Sequence, residues 1–313
     1  MADTRFLVVT IHKNGLQRLK QFISSLLPQL TSSDQLVIVD NHSTDGSLEQ
    51  IQEDFSGKGI QYICNPHNQG YATACNQGMQ LNNSQFVIIC NNDLILEKGT
   101  LDTIQVLFDK HPKIGMIGGQ LQSETGQPVT SGVSHNTFLT EIGLQPITRW
   151  KQVIEDTHVP ALVGAFMAIR RQVISDVGLM NEKFFFYFEE SDWCKRIIES
   201  GWEILLSHSI KLTHIGGATA KSYFLPAKIE YLRSQLLFWS IHFNKTEFYF
   251  LLILLWLKLI LKSLLYGLST ILTIGQHQRF KEKFIIHGYW LIWLIKRQPK
   301  SWGLPDKPPH LLN

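Results

Sequence analysis

The segment Leu36-Val37-Ile38-Val39-Asp40-Asn41-His42-Ser43-Thr44-Asp45-Gly46 passes abruptly from an unbroken apolar run into polar and turn-forming residues. A short apolar run bounded in this way reads as a strand buried on both faces, the usual state of a parallel sheet. The transition recurs along the chain. Residues 6–11 run into a polar stretch spanning Thr10 to Asn14, residues 60–64 precede Asn65 to Gly70, and residues 86–90 precede Asn91-Asn92-Asp93. Helical spacing fills the intervals: Leu16, Leu19, Phe22, Ile23, Leu26 and Leu27 lie on one face and Pro28 closes the helix. Further helices are predicted up to about Phe55, over 71–81 and over 101–110. Strands alternating with helices of this length indicate βαβ units, so the predicted class is α/β with a mostly parallel sheet flanked by helices.

In open sheets of this kind, ligands bind beyond the carboxyl ends of the strands. The polar residues Thr10, His12, Asp40, Asn41, Ser43, Asn68, Gly70, Asn76, Asn92 and Asp93 gather along that rim and are the candidate ligand-binding set. Asp40 is placed to accept hydrogen bonds from a base or ribose, or else to cap the following helix. Gly70, Ala72 and Ala74 open a helix whose N-terminus suits phosphate, or they serve tight helix–sheet packing. Asp93, a carboxylate at a strand end beside amides, suits the hard ions Mg²⁺ or Mn²⁺, or a turn.

Further along, residues 120–160 are Gly-, Ser-, Thr- and Gln-rich and read as a long loop. A strand is predicted over 163–169, a helix over 192–200 ended by Gly201, and two strands over 203–206 and 210–213. Between them, Phe188-Glu189-Glu190-Ser191-Asp192-Trp193 sets three carboxylates directly after an aromatic run. Crowded like charges in apolar surroundings raise carboxyl pKa values, which suits a general base. Glu190, Glu189 and Asp192 are therefore the catalytic candidates, with Asp192 also spaced to pair with Arg196 at i+4. His214, after the last strand, gains weight only beside the other motifs.

Taken together, and over roughly residues 5–240, these motifs resemble the bacterial family 2 glycosyltransferases, inverting sugar-nucleotide enzymes with a GT-A fold. The resemblance rests on Val8-Val9-Thr10, Val39 to Gly46, Asn68 to Asn76, Asn91-Asn92-Asp93, Gly164-Ala165-Phe166-Met167 before Arg170-Arg171, Phe188 to Asp192 with Arg196 and Gly201, and His214-Ile215-Gly216-Gly217-Ala218. The pattern is most similar to the rhamnosyltransferase-type subgroup that builds cell-surface polysaccharides. The resemblance implies a Rossmann-like nucleotide-binding half and a dTDP- or UDP-sugar donor. Thr10 and Asp40 would hold base and ribose, and Asn68 and Gly70 would line the nucleotide. Asp93, with His214 nearby, would hold a divalent metal on the diphosphate, and Glu190 would be the catalytic base. The chain departs from the family where Asn91 replaces the first acid of the metal motif, where Glu190 stands for the usual Asp, and where Ile11-His12 replaces an aromatic-Asn pair.

At 313 residues, 44% hydrophobic and 18% charged, the chain falls outside the disordered and low-complexity classes. The four cysteines at 64, 75, 90 and 194 have no metal-ligand spacing and are expected to be reduced, with Cys64 and Cys90 in the core. Met1 to Arg5 leads straight into a strand pattern, so no secretory signal is expected. Charge divides the chain in two. Residues 1–240 carry 19 Lys and Arg against 23 Asp and Glu, whereas residues 241–313 carry 10 against 3. The predicted domains are thus a catalytic 1–240 and a basic, apolar helical tail 241–313. Glu247, Lys258, Lys262, Ser269 and Thr273 share one face of the first tail helix, with apolar residues around the rest. A second segment carries Arg279, Lys281 and Lys283, then an apolar run, then Lys296-Arg297. This composition fits an anionic membrane surface contacted through residues 247–297, and not nucleic acid. Helices lying in the interface, with lysines reaching headgroups, are expected over a spanning pair; a helical pair packed on the globular domain or on a partner in a homodimer is the alternative. The expected location is the cytoplasmic face of a bacterial inner membrane, peripheral or monotopic. The acceptor would then be a glycan, lipid-linked. A nucleotidyltransferase would need a second metal carboxylate and a basic phosphate loop, and an inactive glycan- or membrane-binding scaffold would not need Asp40, Asp93 and Glu190 together.

Overall fold

The computed structural model describes residues 4–216 and 223–311. The chain divides into two compact units, the first formed by Met1–His135, Ile147–Phe185 and Glu189–Gly216, the second by Asn136–Pro146, Phe186–Phe188 and Gly217–Asn313.

The first unit opens with β1 (Phe6–His12), α1 (Leu16–Leu26), β2 (Asp34–Asp40), α2 (Ser47–Asp54), β3 (Gln61–Cys64), α3 (Tyr71–Met79) and β4 (Phe86–Asn91). It continues through β5 (Leu94–Leu96), α4 (Thr100–Lys110), β6 (Ile114–Gln122) and the short β7 (Gly132–Val133). After α5 (Phe138–Glu141), which belongs to the second unit, come β8 (Arg149–Trp150), β9 (Thr157–His158), β10 (Ala161–Leu162) and β11 (Phe166–Arg170). Then α6 (Arg171–Val177), α7 (Glu189–Glu199) and β12 (Glu203–His214) complete it.

The main sheet runs in the order β3-β2-β1-β4-β11-β6-β12-β5, with β9 added on β12. The first half is parallel, as the apolar runs predict: β1 lies between β2 and β4, with β3 outside β2. The second half is mixed. β11 enters antiparallel between β4 and β6, and β12 runs parallel to β6 and antiparallel to β5. The strands expected over 203–206 and 210–213 are one strand, its register shifting between Ser207 and Lys211. The Gly- and Ser-rich stretch after residue 120 is partly ordered, supplying the antiparallel sheet β10-β7-β8.

One core cluster packs Phe6, Val8, Phe86 and Ile88 of the sheet against Leu19, Phe22 and Ile23 of α1 and Ile104 and Phe108 of α4. Full burial of each such side chain contributes roughly 1.5–3 kcal/mol. On the other face Val9 meets α3 at Gly78, where an added Cβ would come within 2.3 Å of Val9 Cγ1. Cys75, Cys90 and Cys194 are buried thiols, but Cys64, expected in the core, is exposed because β3 is the outer strand.

The second unit is helical: α8 (Phe224–His242), α9 (Lys245–Leu272) and α10 (Gln278–Ile295). Its helices begin well before residue 241, since α8 is already in place by Phe224. Asn244 caps α9 by accepting from the Glu247 N–H while Glu247 accepts from the Asn244 N–H, both at 3.0 Å. α9 is long and apolar enough to cross a membrane by length and composition. Its buried stripe is Leu251, Leu255 and Leu259, while Ile253, Leu257, Leu261, Leu264 and Leu268 are exposed. Glu230 on α8 is wholly buried and accepts from Lys307 Nζ at 2.6 Å and Arg233 NH1 at 2.8 Å.

Candidate active site

The carboxyl ends of β1, β2 and β4 deliver the candidate residues to one edge of the parallel half-sheet. At β2, Asp40 is buried and accepts from the Ser43 N–H at 3.0 Å and from the Ser43 hydroxyl. Asp40 thus closes a turn with Ser43 and does not cap the following helix, whose N-cap position is Gly46 with no side-chain cap bond. His42 supports the turn from the left-handed region at φ 71°. Asn41 pins the next loop: its amide donates to Asn68 Oδ1 at 2.8 Å and to the Gly70 carbonyl at 3.2 Å, and its carbonyl accepts from the Gln69 N–H at 2.9 Å. Thr10 is buried on β1 and its hydroxyl has no hydrogen-bond partner.

Three residues expected at the ligand are committed to internal bonds. His12 is fully buried, with Nε2 2.7 Å from Ser47 Oγ and Nδ1 2.8 Å from Asn92 Nδ2. Burial holds its pKa below the ordinary value, against the pull of Asp40 and Asp45, so the ring is a neutral strut between β1, α2 and the 91–93 turn. Through that bond Asn92 serves the same strut. Asn76 donates to the Met180 carbonyl at 2.9 Å and to Glu182 at 2.8 Å, and accepts from the Met180 N–H at 3.1 Å. It ties α3 to residues 180–182 and has no donor left for a ligand.

β12 runs antiparallel to β5 and sets His214 opposite Leu94, next to Asp93. His214 Nε2 lies 3.3 Å from Asp93 Oδ1, a buried oxygen without a hydrogen bond. Asp93 Oδ2 accepts from the Gly216 N–H at 3.2 Å, and the Asp93 carbonyl from the Ile215 N–H at 3.0 Å. Gly217 and Ala218, quoted in the same motif, lie outside the described residues. An orphaned carboxylate oxygen facing an imidazole suits a hard divalent cation. Among the described residues no cluster of three His, Cys, Asp or Glu side chains forms, so substrate phosphates and water would complete the shell, as is common for Mg²⁺.

The acidic run opens α7, and its three carboxylates have different surroundings. Asp192 is 1% exposed and takes the Arg196 guanidinium at 2.9 Å, while Arg196 also donates to the carbonyls of Val177 and Leu179. It is the anchor of an ion pair that joins α7 to the end of α6. Glu189 is buried. Glu190 keeps a partly exposed edge, and an added Cβ on Gly164 would lie 3.4 Å from its Cβ and Cγ. Dense packing desolvates this carboxyl and raises its pKa, although hydrogen bonds from the helix N-terminus work in the opposite direction.

Sequence reasoning gave no role to Tyr71, yet it ties the start of α3 to the Gly164 and Phe185 segments. Its hydroxyl donates to the Gly164 carbonyl at 2.8 Å and lies 3.2 Å from Asn91 Oδ1. Its N–H donates to the Phe185 carbonyl at 2.8 Å. The neighbouring Gly70 (φ 86°) packs so closely that an added Cβ would come 2.6 Å from that same carbonyl. Beyond Phe185 the chain passes through Tyr187 (φ 73°) and Phe188 (φ 70°) before α7 begins. Consecutive aromatic residues in the left-handed region are strained, and such strain gathers at functional sites.

The glycosyl transferase family 2 profile matches residues 7–178. The chain is 26% identical over 207 residues to a low-salt glycan biosynthesis hexosyltransferase, Agl10, of Haloferax volcanii, covering 63% of this chain and 62% of that protein. It therefore spans less than two thirds of that relative's length. It is 23% identical over 239 residues to the N-acetylglucosaminyl-diphospho-decaprenol L-rhamnosyltransferase of Mycobacterium tuberculosis, covering 68% and 76%. Among solved structures it shares its fold with a mannosyltransferase of Pyrobaculum calidifontis in complex with GDP-Man and Mn²⁺, at TM-score 0.56 and 14% identity over 95% of this chain and 87% of that one. GalNAc-T7 with UDP, GalNAc and Mn²⁺ aligns at TM-score 0.56 and 15% identity over 67% and 43%. With a GT-A-like mixed sheet, rim motifs in the family's order and a profile match over more than half its length, the chain belongs to glycosyl transferase family 2.

Proposed function

We propose that the protein is an inverting glycosyltransferase that moves a sugar from a nucleoside diphosphate to a hydroxyl of a lipid-borne glycan. The observation that carries the reading is Glu190: a desolvated carboxyl on a helix anchored by the Asp192–Arg196 ion pair, its side-chain stem beside Gly164, whose carbonyl accepts from Tyr71, with the Asp93–His214 pair on the same unit. Glu190 takes the proton from the acceptor hydroxyl as its oxygen attacks the anomeric carbon. The carbon–oxygen bond to the diphosphate breaks on the opposite face, its electron pair leaves with the nucleotide, and the anomeric centre inverts. Thr10, Asp40, Asn41, Ser43, Asn68 and Gly70 hold or frame the nucleoside. Asp93 and His214 would hold Mg²⁺ or Mn²⁺, which supplies positive charge beside the departing diphosphate.

The mycobacterial relative's name supports rhamnose and an acceptor on a polyprenyl diphosphate; the donor in this reading is a dTDP- or UDP-sugar. The apolar exposed face of α9 supports attachment to a membrane surface, in this reading the cytoplasmic face of a bacterial inner membrane. Catalysis is assigned to residues 1–240 and attachment to the remainder. The test is release of nucleoside diphosphate from a panel of sugar nucleotides with Mn²⁺, with and without a polyprenyl-diphosphate glycan. Turnover that depends on both donor and acceptor supports the reading, and no turnover of any donor rejects it.

A further inference from the structure

The α9–α10 pair carries a group of cations that this reaction leaves unused. Lys258, Lys262 and Tyr266 follow one another at intervals of four residues and so share one face of α9. The link from α9 to α10 is short, residues 273–277, which makes the two helices antiparallel neighbours. Tyr266 fixes their register. Its ring centroid lies 5.3 Å from that of His287, its hydroxyl 3.3 Å from Lys283 Nζ, and the same ammonium 5.1 Å from the ring centroid. Lys262, one turn earlier on α9, therefore faces His287, one turn later on α10, and Lys258 stands a further turn along.

His287 is 9% exposed, and its Nδ1 lies 2.6 Å from the Lys283 carbonyl oxygen. Burial lowers its pKa against that bond, and the charges of Lys262, Lys283 and Lys258 lower it further, which keeps the ring neutral. Among the described residues, none of these lysines has a carboxylate within ion-pair distance. The acid that senses Lys258, Glu141, already accepts from Asn136 at 2.9 Å and Gln235 at 3.1 Å. Converging cations with no carboxylate paired to them at close range repel one another and weaken the helix pair. Away from this face, α9 presents Ile253, Leu257, Leu261, Leu264, Leu268 and Ile271, each between 52% and 75% exposed. Cations and uncovered hydrocarbon surface thus lie on one helix.

We propose that the α9–α10 hairpin binds a polyprenyl-type lipid that carries a diphosphate, the diphosphate held by Lys258, Lys262 and Lys283 and the hydrocarbon in the layer that covers the apolar face of α9. A diphosphate that joins a lipid to a glycan keeps about one negative charge on each phosphate, roughly twice the charge of a phosphodiester, and is the better match to several ammonium groups. The proposal rests on the reading that the acceptor is lipid-borne and assigns its diphosphate linkage to named side chains.

The experiment is flotation of the full-length protein with phosphatidylcholine vesicles containing polyprenyl diphosphate, or phosphatidylglycerol at equal surface charge. The diphosphate vesicles should bind about tenfold more tightly or better. Lys262→Gln with Lys283→Gln should bring the two to parity at a melting temperature no lower than that of the unmodified protein, since it removes two of the mutually repelling charges. If that pair of substitutions disturbs the fold, Lys258→Gln alone, at an exposed position, should still cut the preference about threefold. Equal binding of the unmodified protein to both vesicles, or a preference that survives the substitutions, overturns the site. Release from the vesicles by inorganic pyrophosphate at the concentration of the lipid would replace the lipid with a soluble ligand and overturn it too. Glu190→Gln separates this from the proposed reaction, since it should stop turnover and keep the lipid preference. A lipid preference without turnover of any sugar nucleotide would reject the enzyme reading and leave the site standing.

Discussion

Because dense packing takes most of the water from the Glu190 carboxyl, ionising it destabilises the folded protein relative to the unfolded chain. The sign follows from the raised pKa. Below the unfolded value of 4.5 the group is protonated in both states and the penalty is absent; it grows as pH rises through the higher folded value. Glu190→Gln should therefore hold or raise the melting temperature at neutral pH while turnover falls about a hundredfold or more. The acid limb of the kcat/KM profile should lie above the ordinary Glu range and vanish in the variant. Calorimetry and a pH–rate series check the two halves, and near-normal turnover would remove Glu190 from the mechanism. Asp93→Ala should weaken metal-dependent binding of nucleoside diphosphate far more than binding of the nucleoside alone, measured by titration calorimetry, because the metal bridges to phosphate. Tyr71→Phe deletes the hydroxyl between Gly164 and Asn91. It should lower stability by about 1 kcal/mol and raise the ratio of donor hydrolysis to transfer. A fall in both rates with their ratio unchanged would mean that Tyr71 only supports the fold.

Among the elements, α7 shows why one acid of three could not be chosen from spacing alone. The i+4 pairing of Asp192 with Arg196 is legible in sequence, and so is the likeness of Glu190 to a base. That Arg196 also reaches Val177 and Leu179 is not legible, because those carbonyls come from a distant turn. Arg196→Ala should cost on the order of 3 kcal/mol by stranding a buried carboxylate. Urea unfolding measures it, and a loss near zero would show that water replaces the guanidinium. The parallel strands β1, β2 and β4 could be read because each is an unbroken apolar run ending in polar residues. β5 and β6 were missed: one has three residues, and the other carries Gly115, Gly118 and Gly119 in place of β-branched residues. Those glycines are needed because an added Cβ at Gly118 would meet Leu162 at 2.4 Å, and one at Gly119 would meet Ile210 at 2.4 Å. The left-handed pair Tyr187 and Phe188 was equally hidden, since aromatic residues carry no local signal for positive φ.

For the whole molecule, the tail sequence predicts a basic apolar surface, and the structure adds which side of α9 is uncovered. The proposed attachment through that face would combine apolar burial with a lipid-charge attraction that salt screens. High salt should release only part of the protein from anionic vesicles and detergent should release all of it; complete release by salt would assign attachment to charge alone. Deleting the chain beyond Asn244 is a poorer test than it looks from sequence. It would strip Lys307 from Glu230, which is wholly buried on α8.

The antiparallel entry of β11 beside β4 has a consequence in time. Phe166 pairs with Cys90 and Arg170 with Phe86, so a central strand waits for its second neighbour until some eighty further residues have been made. Until then β4 offers an open edge of apolar residues. At a synthesis rate of about 5–20 residues per second, that interval lasts several seconds. A ribosome-bound chain halted before residue 166 should recruit holding chaperones and be readily cleaved by protease, whereas one whose emerged portion includes β11 and α7 should resist both.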